Sequence, residues 1–164
     1  MDKHSLIQIK TLHPYIQNEV FKAVEFINKN ILTSKTKVRI EEGFRSFERQ
    51  SFIFAKGRAA AGKIVTNADA GFSFHNYGLA FDICLITDEV KLNWENTKDF
   101  DGDKTADWEE VVKYFKSLEY TWGGDFKSFK DLPHFEKAGL NKIQDLQLKH
   151  KNKDFIQGTN FIKI

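Results

Sequence analysis

The sequence predicts an α+β fold, a small sheet packed with helices in a single domain. Three observations carry this. Apolar side chains recur at helical spacing over residues 14–32 and again over 107–118. Short alternating or continuous apolar runs of strand character lie between and after them. The chain has 164 residues, 41% hydrophobic and 29% charged, which suits one globular domain with a real core.

In chain order, Pro14 opens the first helix, with Ile16, Val20, Val24, Ile27 and Ile31 as its apolar stripe. Leu12 ahead of it joins the same core. Lys37 to Glu42 alternates, with Val38 and Ile40 on one face, as a half-buried strand does. Gly43-Phe44-Arg45-Ser46 ends that strand, and Ser46 caps a helix through about Lys56. Phe52 and Ala55 are its expected core side, with Phe47 at its start. Residues 57–71 hold Gly57, Gly62 and Gly71 without periodicity, and loops of that length tend to be functional or mobile. Ser73 to Ile86 reads as strand, turn, strand, bent at Asn76-Tyr77-Gly78.

Residues 88–104 form an acidic loop, and Asp107 to Leu118 the second long helix. Tyr120-Thr121-Trp122 is a short strand closed by Gly123-Gly124-Asp125, and Pro133 opens a last strand, His134-Phe135-Glu136. A helix from about Asn141 to Lys149 follows. Phe155, Phe161, Ile162 and Ile164 then indicate a tail that docks rather than dangles.

A net charge of +2 is too small to argue for nucleic acid. No apolar segment approaches the roughly 18 residues that cross a membrane. Cys84 is the one cysteine, so no internal disulfide forms, and its apolar strand marks a buried, inert thiol. His4, His13 and His150 have no matching context and read as surface residues.

The chemistry centres on Asp82. It lies inside the apolar run of Leu79, Ala80, Phe81, Ile83 and Cys84, where a carboxylate is costly unless something pairs with it. His75 precedes it by seven residues, and His134 lies far downstream in a similar setting. Two imidazoles and a carboxylate, leaving one position for water, are the donor set of a catalytic zinc. A straight strand would put His75 and Asp82 on opposite faces; the bend at 76–78 is needed to return them to one side. The alternative is two histidines satisfied by backbone groups and an aspartate in a turn.

A second acidic pattern competes. Asp99, Asp101, Asp103 and Glu110 hold the first, third, fifth and twelfth places of a calcium loop, but Lys104 stands at the sixth, normally glycine. No helix pattern clearly precedes Asp99 either, and a solvated acidic loop is the better reading.

The motif Ser73-x-His75-x-x-Gly78-x-Ala80-x-Asp82, then Trp122-Gly123-Gly124-Asp125 and Asp131-x-Pro133-His134-Phe135-Glu136, resembles the zinc peptidases of the D-alanyl-D-alanine carboxypeptidase/dipeptidase type. More narrowly, it is similar to the L-alanyl-D-glutamate endopeptidases of cell-wall hydrolases and phage endolysins. Gly43-Phe44-Arg45-Ser46 with Gln50, Lys56-Gly57-Arg58 and Val65-Thr66-Asn67-Ala68 fit the same family in its order, so the resemblance spans roughly residues 36–140.

It implies a small antiparallel sheet of the hedgehog/D-alanyl-D-alanine peptidase type, with His75, Asp82 and His134 as zinc ligands on it. It also implies Asp131 as general base and Arg45 over the substrate carbonyl, where a fixed guanidinium would stabilise the oxyanion. Ser73 and Gln50 would orient a ligand or the substrate. Asp125 is either a partner holding a ligand imidazole by its remaining N–H or a turn aspartate. Trp122, Tyr77 and Trp94 line a cleft or belong to the core.

The expected function is hydrolysis of a stem-peptide amide in peptidoglycan, most specifically L-alanyl-D-glutamate, by a monomer. A D-alanyl-D-alanine carboxypeptidase or dipeptidase is the alternative among enzymes, and a non-catalytic module binding wall peptides the alternative outside them. No leader is visible, and the stretch after Glu136 is too short for a wall-binding domain. That suits a phage endolysin released by a holin, or a wall enzyme exported by another route.

Overall fold

The computed structural model describes residues 1–33, 35–88, 90–139 and 141–164. At its centre is β2 (Ala80–Thr87), an apolar strand with neighbours on both sides. On one side it pairs antiparallel with β1 (Thr36–Glu42). On the other, its first half pairs with β5 (His134–Glu136) and its second half with β3 (Lys91–Asn93). The two-residue β4 (Thr121–Trp122) closes the sheet beyond β5. β3 falls inside the stretch expected to be an acidic loop; Glu89 in that stretch lies outside the described residues. Two apolar positions in a lysine- and aspartate-rich segment give too little alternation to announce a strand.

Alternation along β2 divides the sheet into two faces. Phe81, Ile83 and Leu85, with Val38 and Ile40 of β1 and Phe135 of β5, face the main core. Helix α2 (Pro14–Phe26) covers them with Ile16, Val20, Ala23 and Val24, and α4 (Asp107–Ser117) adds Trp108, Val111 and Phe115. The 14–32 helix is thus present, its end (Ile27–Ile31) widened into a π turn. Phe81, Phe115 and Phe135 pack with ring centroids 5.0–5.6 Å apart, an aromatic cluster directly behind the opposite face.

An N-terminal helix, α1 (Lys3–Lys10), has no counterpart in the sequence reading. Its buried positions are only Ser5 and Ile9, too few for a helical stripe. Asp2 caps it, accepting from the His4 and Ser5 amides, and the Ser5 hydroxyl accepts from the Ile40 amide of β1. His13, expected on the surface, is buried instead. Its Nδ1 accepts from the Tyr15 amide at the start of α2, and its Nε2–H donates to the Ile162 carbonyl at 2.8 Å. That bond and the Phe155–Ile162 bridge dock the tail.

Helix α3 (Phe47–Ala55) begins where expected, with Ser46 Oγ accepting from the Arg49 amide. Its inward face differs. Gln50 and Ile53 are buried, whereas Phe52 is 57% exposed beside Arg49 and Lys56. The inward face follows Phe47, Gln50 and Ile53 at three-residue spacing, and the buried polar Gln50 is what hid it from an apolar count. Helix α5 (Ile143–Lys151) completes the chain's helices among the described residues and packs Leu146 and Ile143 on Tyr77 and Leu79.

Candidate metal centre

The face of the sheet away from the main core carries the polar cluster. In register, Asp82 of β2 stands opposite Glu42 of β1 and His134 of β5. Directly paired residues share a face, so these three side chains meet. Glu42 reaches that face only through a bulge: the register slips between Ile40 and Glu42. In an unbroken strand Glu42 would follow Val38 and Ile40 into the core.

His75 arrives from a different element than expected. Ser73 to Tyr77 is not a strand; Phe74–Tyr77 forms a 3-10 turn, with Ser73 Oγ accepting from the His75 amide. Gly78 then takes φ +68°, and a Cβ there would stand 2.7 Å from the His13 amide nitrogen. Glycine is therefore required by both conformation and space. The bend brings His75 Nε2 to 3.2 Å from Asp82 Oδ1 and 3.1 Å from His134 Nδ1; His134 Nδ1 and Asp82 Oδ1 are 3.3 Å apart.

Each imidazole's other nitrogen has a partner that fixes its tautomer. His75 Nδ1 lies 2.7 Å from the Gly43 carbonyl, and only an N–H can face a carbonyl at that distance. His134 Nε2 lies 2.9 Å from Glu136 Oε2 and likewise donates. Both lone pairs then point at each other and at a carboxylate oxygen. Three acceptors so close repel unless a cation sits among them. Nitrogen and oxygen donors held tetrahedrally at about 2.0–2.1 Å lie about 3.3 Å from one another, so the triangle fits such an ion. His75, Asp82 and His134 are thus a group able to hold a metal.

The charges agree. Burial would raise the Asp82 pKa, but the two imidazoles hold it well below the usual carboxylate range. Burial would lower that of His134, yet hydrogen bonds to Asp82 and Glu136 push it up to about 10.

Arg45 is nearly buried and tied on three sides. Its Nη1 donates to Gln50 Oε1 at 3.1 Å, and its Nη2 to Asp82 Oδ2 at 3.1 Å and to Glu42. It is fastened to the second oxygen of Asp82, which leaves Oδ1 for the triangle, and it also lines the cleft on which the triangle opens. Gln50, fully buried, spans from Arg45 to the Ala68 carbonyl, so it braces Arg45 and the loop wall. Arg58 staples the same loop, donating to the Phe54 and Thr66 carbonyls and to Asn67 Oδ1.

Asp131 lines one cleft with Arg45, Ser73, His75, His134 and Phe126, about 310 Å³ in volume. Burial raises its pKa, with the Asp82 charge adding to the rise and His134, His75 and Arg45 opposing it. Its backbone is held by the Gly123 carbonyl, and a Cβ on Gly123 would come within 2.3 Å of the Asp131 carbonyl. Only glycine lets the Trp122–Asp125 turn lie against the segment that carries Asp131 and His134.

Asp125 is not at an imidazole. Its carboxylate pairs with Lys116 at 2.7 Å on the surface, because the 3-10 turn of Gly123–Asp125 aims it towards α4. Glu136 takes the place expected of it. The signal was present: residues two apart on a strand share a face, so Glu136 had to stand beside His134. Glu42 and the Gly43 carbonyl could not be found that way, since a bulge and a backbone acceptor leave no mark in the sequence. Trp122 donates its Nε1–H to the Leu132 carbonyl, Tyr77 its hydroxyl to the Gly71 carbonyl, and Trp94 is 48% exposed. None of these three lines the cleft.

Comparison with known proteins finds relatives of this chain. Residues 66–137 fit the family described as D-alanyl-D-alanine carboxypeptidase. The peptidoglycan L-alanyl-D-glutamate endopeptidase CwlK of Bacillus subtilis (strain 168) is 43% identical over 126 residues, covering 76% of this chain and 72% of that protein. The chain belongs to the M15 metallopeptidase family. The crystal structure of the Serratia marcescens L-Ala D-Glu endopeptidase ChiX shares the fold. Its TM-score is 0.57 at 21% identity, over 84% of this chain and 89% of that one. The M15 fold accounts for the open antiparallel sheet with the histidine–aspartate group on one face. As a metallopeptidase, the chain has in that group a place for its metal.

Proposed function

We propose that this M15 enzyme is a zinc peptidase hydrolysing the L-alanyl-D-glutamate amide in the stem peptide of bacterial peptidoglycan. The observation that carries the reading is the donor triangle of His75, Asp82 and His134 opening on a cleft that also holds Asp131. Two imidazoles and one carboxylate suit zinc, and three protein donors leave a position for water. His75, Asp82 and His134 would hold the ion, which would supply Lewis acidity, lowering the pKa of a water towards about 7.

The chain's own residues do the rest. Asp131, with its pKa raised mainly by burial, accepts the proton of the attacking water and returns it to the leaving amine. Glu136 and the Gly43 carbonyl hold the two imidazoles in the tautomer that keeps a lone pair inward. Arg45 keeps Asp82 one-pronged, and its charge faces the cleft where the oxyanion develops. Ser73 sets the turn that delivers His75.

The 43% identity to a peptidoglycan L-alanyl-D-glutamate endopeptidase supports the choice of bond. The matching family's description favours a second reading, a D-alanyl-D-alanine carboxypeptidase. Digesting defined muropeptides and identifying the new termini by mass spectrometry separates them: a free N-terminal D-glutamate supports the first, released D-alanine the second.

Replacing Asp131 by Ala tests the mechanism. Zinc content is expected to persist while turnover falls about 10²–10⁴-fold. Undiminished lysis would remove Asp131 from the chemistry, and lysis absent from the unaltered enzyme would favour a binding module.

A further inference from the structure

One wall of the cleft comes from the long loop after α3, through Thr66, Asn67 and Ala68. The segment has no helix or strand of its own, and two side chains pin it. Arg58, just past α3, donates to the Thr66 carbonyl at 3.1 Å and to Asn67 Oδ1 at 3.0 Å. A third bond, to the Phe54 carbonyl at 2.7 Å, ties the same guanidinium to the helix. Gln50, fully buried in α3, donates to the Ala68 carbonyl at 2.6 Å.

The pinning fixes what this wall offers a ligand. A guanidinium has donors only, so the Asn67 atom facing it must be the amide oxygen, and the amide NH2 is left over. Among the described residues that NH2 has no partner. The Thr66 hydroxyl oxygen accepts from the Ala68 amide at 3.2 Å, which leaves its O–H to donate. The Thr66 and Ala68 carbonyls and the Asn67 amide oxygen are thus all engaged, and the side chains of the wall present donors. Elsewhere the cleft has the opposite character. Asp131 and Glu136 bring carboxylates to it, and Arg45, its only arginine, is already bound to Asp82 and Glu42. An anionic group on a substrate is repelled by those two carboxylates and finds unused donors on the loop wall.

The proposed substrate carries such a group. In the stem peptide D-glutamate is joined onward through its side-chain carboxyl, so its α-carboxylate is free. That carboxylate sits on the same carbon as the scissile nitrogen, and a peptide placed for attack must bring it into the cleft with Asp131. We infer that the Asn67 amide NH2, with the Thr66 hydroxyl, binds the α-carboxylate of D-glutamate, and that Arg58 is the positioning residue that turns Asn67 to do so. The inference rests on the reading of the scissile bond given above. It gives the 57–71 loop a part in choosing the substrate. A free carboxylate accepts charge-assisted hydrogen bonds on both oxygens, whereas a carboxamide in its place has one neutral acceptor and an NH2 that meets donors.

The test uses the full chain, zinc-loaded, and two synthetic stem peptides alike except at that position, one with the free D-glutamate α-carboxylate and one with the α-carboxamide. Products are identified by mass spectrometry. The carboxylate peptide is expected to be cleaved with a KM about tenfold lower, kcat being little changed. Asn67→Ala should erase that preference, and Asn67→Asp, which puts a negative acceptor where the donor was, should reverse it. Arg58→Ala should shrink it, because the freed amide can flip, with zinc content and circular dichroism unchanged. A preference that survives in Asn67→Ala, or no preference in the unaltered enzyme, would overturn the subsite while leaving the reading of the bond intact. Arg58→Ala slowing both peptides equally, with the preference kept, would overturn the positioning role. Release of D-alanine with neither peptide cut after L-alanine would overturn the reading of the bond, and this inference with it.

Discussion

His134 shows most directly how the centre works. Its Nε2–H is spent on Glu136, so Nδ1 is free for either a proton or a metal. Asp82 and Glu136 on either side of the ring favour a proton on it. A ligand imidazole must be neutral, so zinc affinity is expected to fall as pH is lowered, checked by competition with a chelating dye between about pH 6 and 9.

Glu136→Gln removes the charge behind the imidazole but keeps a hydrogen-bond acceptor. It is expected to weaken zinc about 10–100-fold with the fold intact, read by the same competition. Cys84 makes the contrasting case. Burial, with Glu41 beside it, pushes the thiol up to about 12. Its reaction with a thiol reagent at about pH 8 should accordingly track global unfolding in denaturant rather than precede it.

Among the elements, the turns matter more than the strands. The β1 bulge rotates Glu42 out of the core, and the 3-10 turn with Gly78 swings His75 back over Asp82. Gly123 lets the turn after β4 press against Asp131 and His134. Gly123→Ala should displace that segment and reduce turnover at least tenfold while far-ultraviolet circular dichroism remains native, because only a short surface turn moves. The expected bend at 76–78 was readable from Asn76-Tyr77-Gly78, whose residues favour turns. Its form was not, since a 3-10 turn of four residues leaves no periodicity.

For the molecule as a whole, the site rests on a sheet held from behind by one aromatic cluster. Phe115 of α4 touches both Phe81 and Phe135, the residues next to Asp82 and His134. Phe115→Ala should cost about 3–5 kcal/mol in denaturant unfolding, and activity should be lost at lower temperature than in the unaltered chain. The polar face tolerates its charges because the other face supplies burial. The tail and α5 close the arrangement on the side of Tyr77 and Leu79, under the turn that carries His75.

By itself the sequence determined the chemistry. Two histidines and an aspartate in apolar surroundings need partners, a shared cation or separate backbone groups, and periodic helices and alternating strands name their own buried sides. Only the tertiary structure decided which carboxylate serves which imidazole, that Arg45 grips Asp82, and that Asp125 turns away to Lys116. The reason is physical: local patterns report a residue's own burial, whereas a bulge, a left-handed turn or a backbone carbonyl acts across the sheet, where spacing along the chain carries no record of distance.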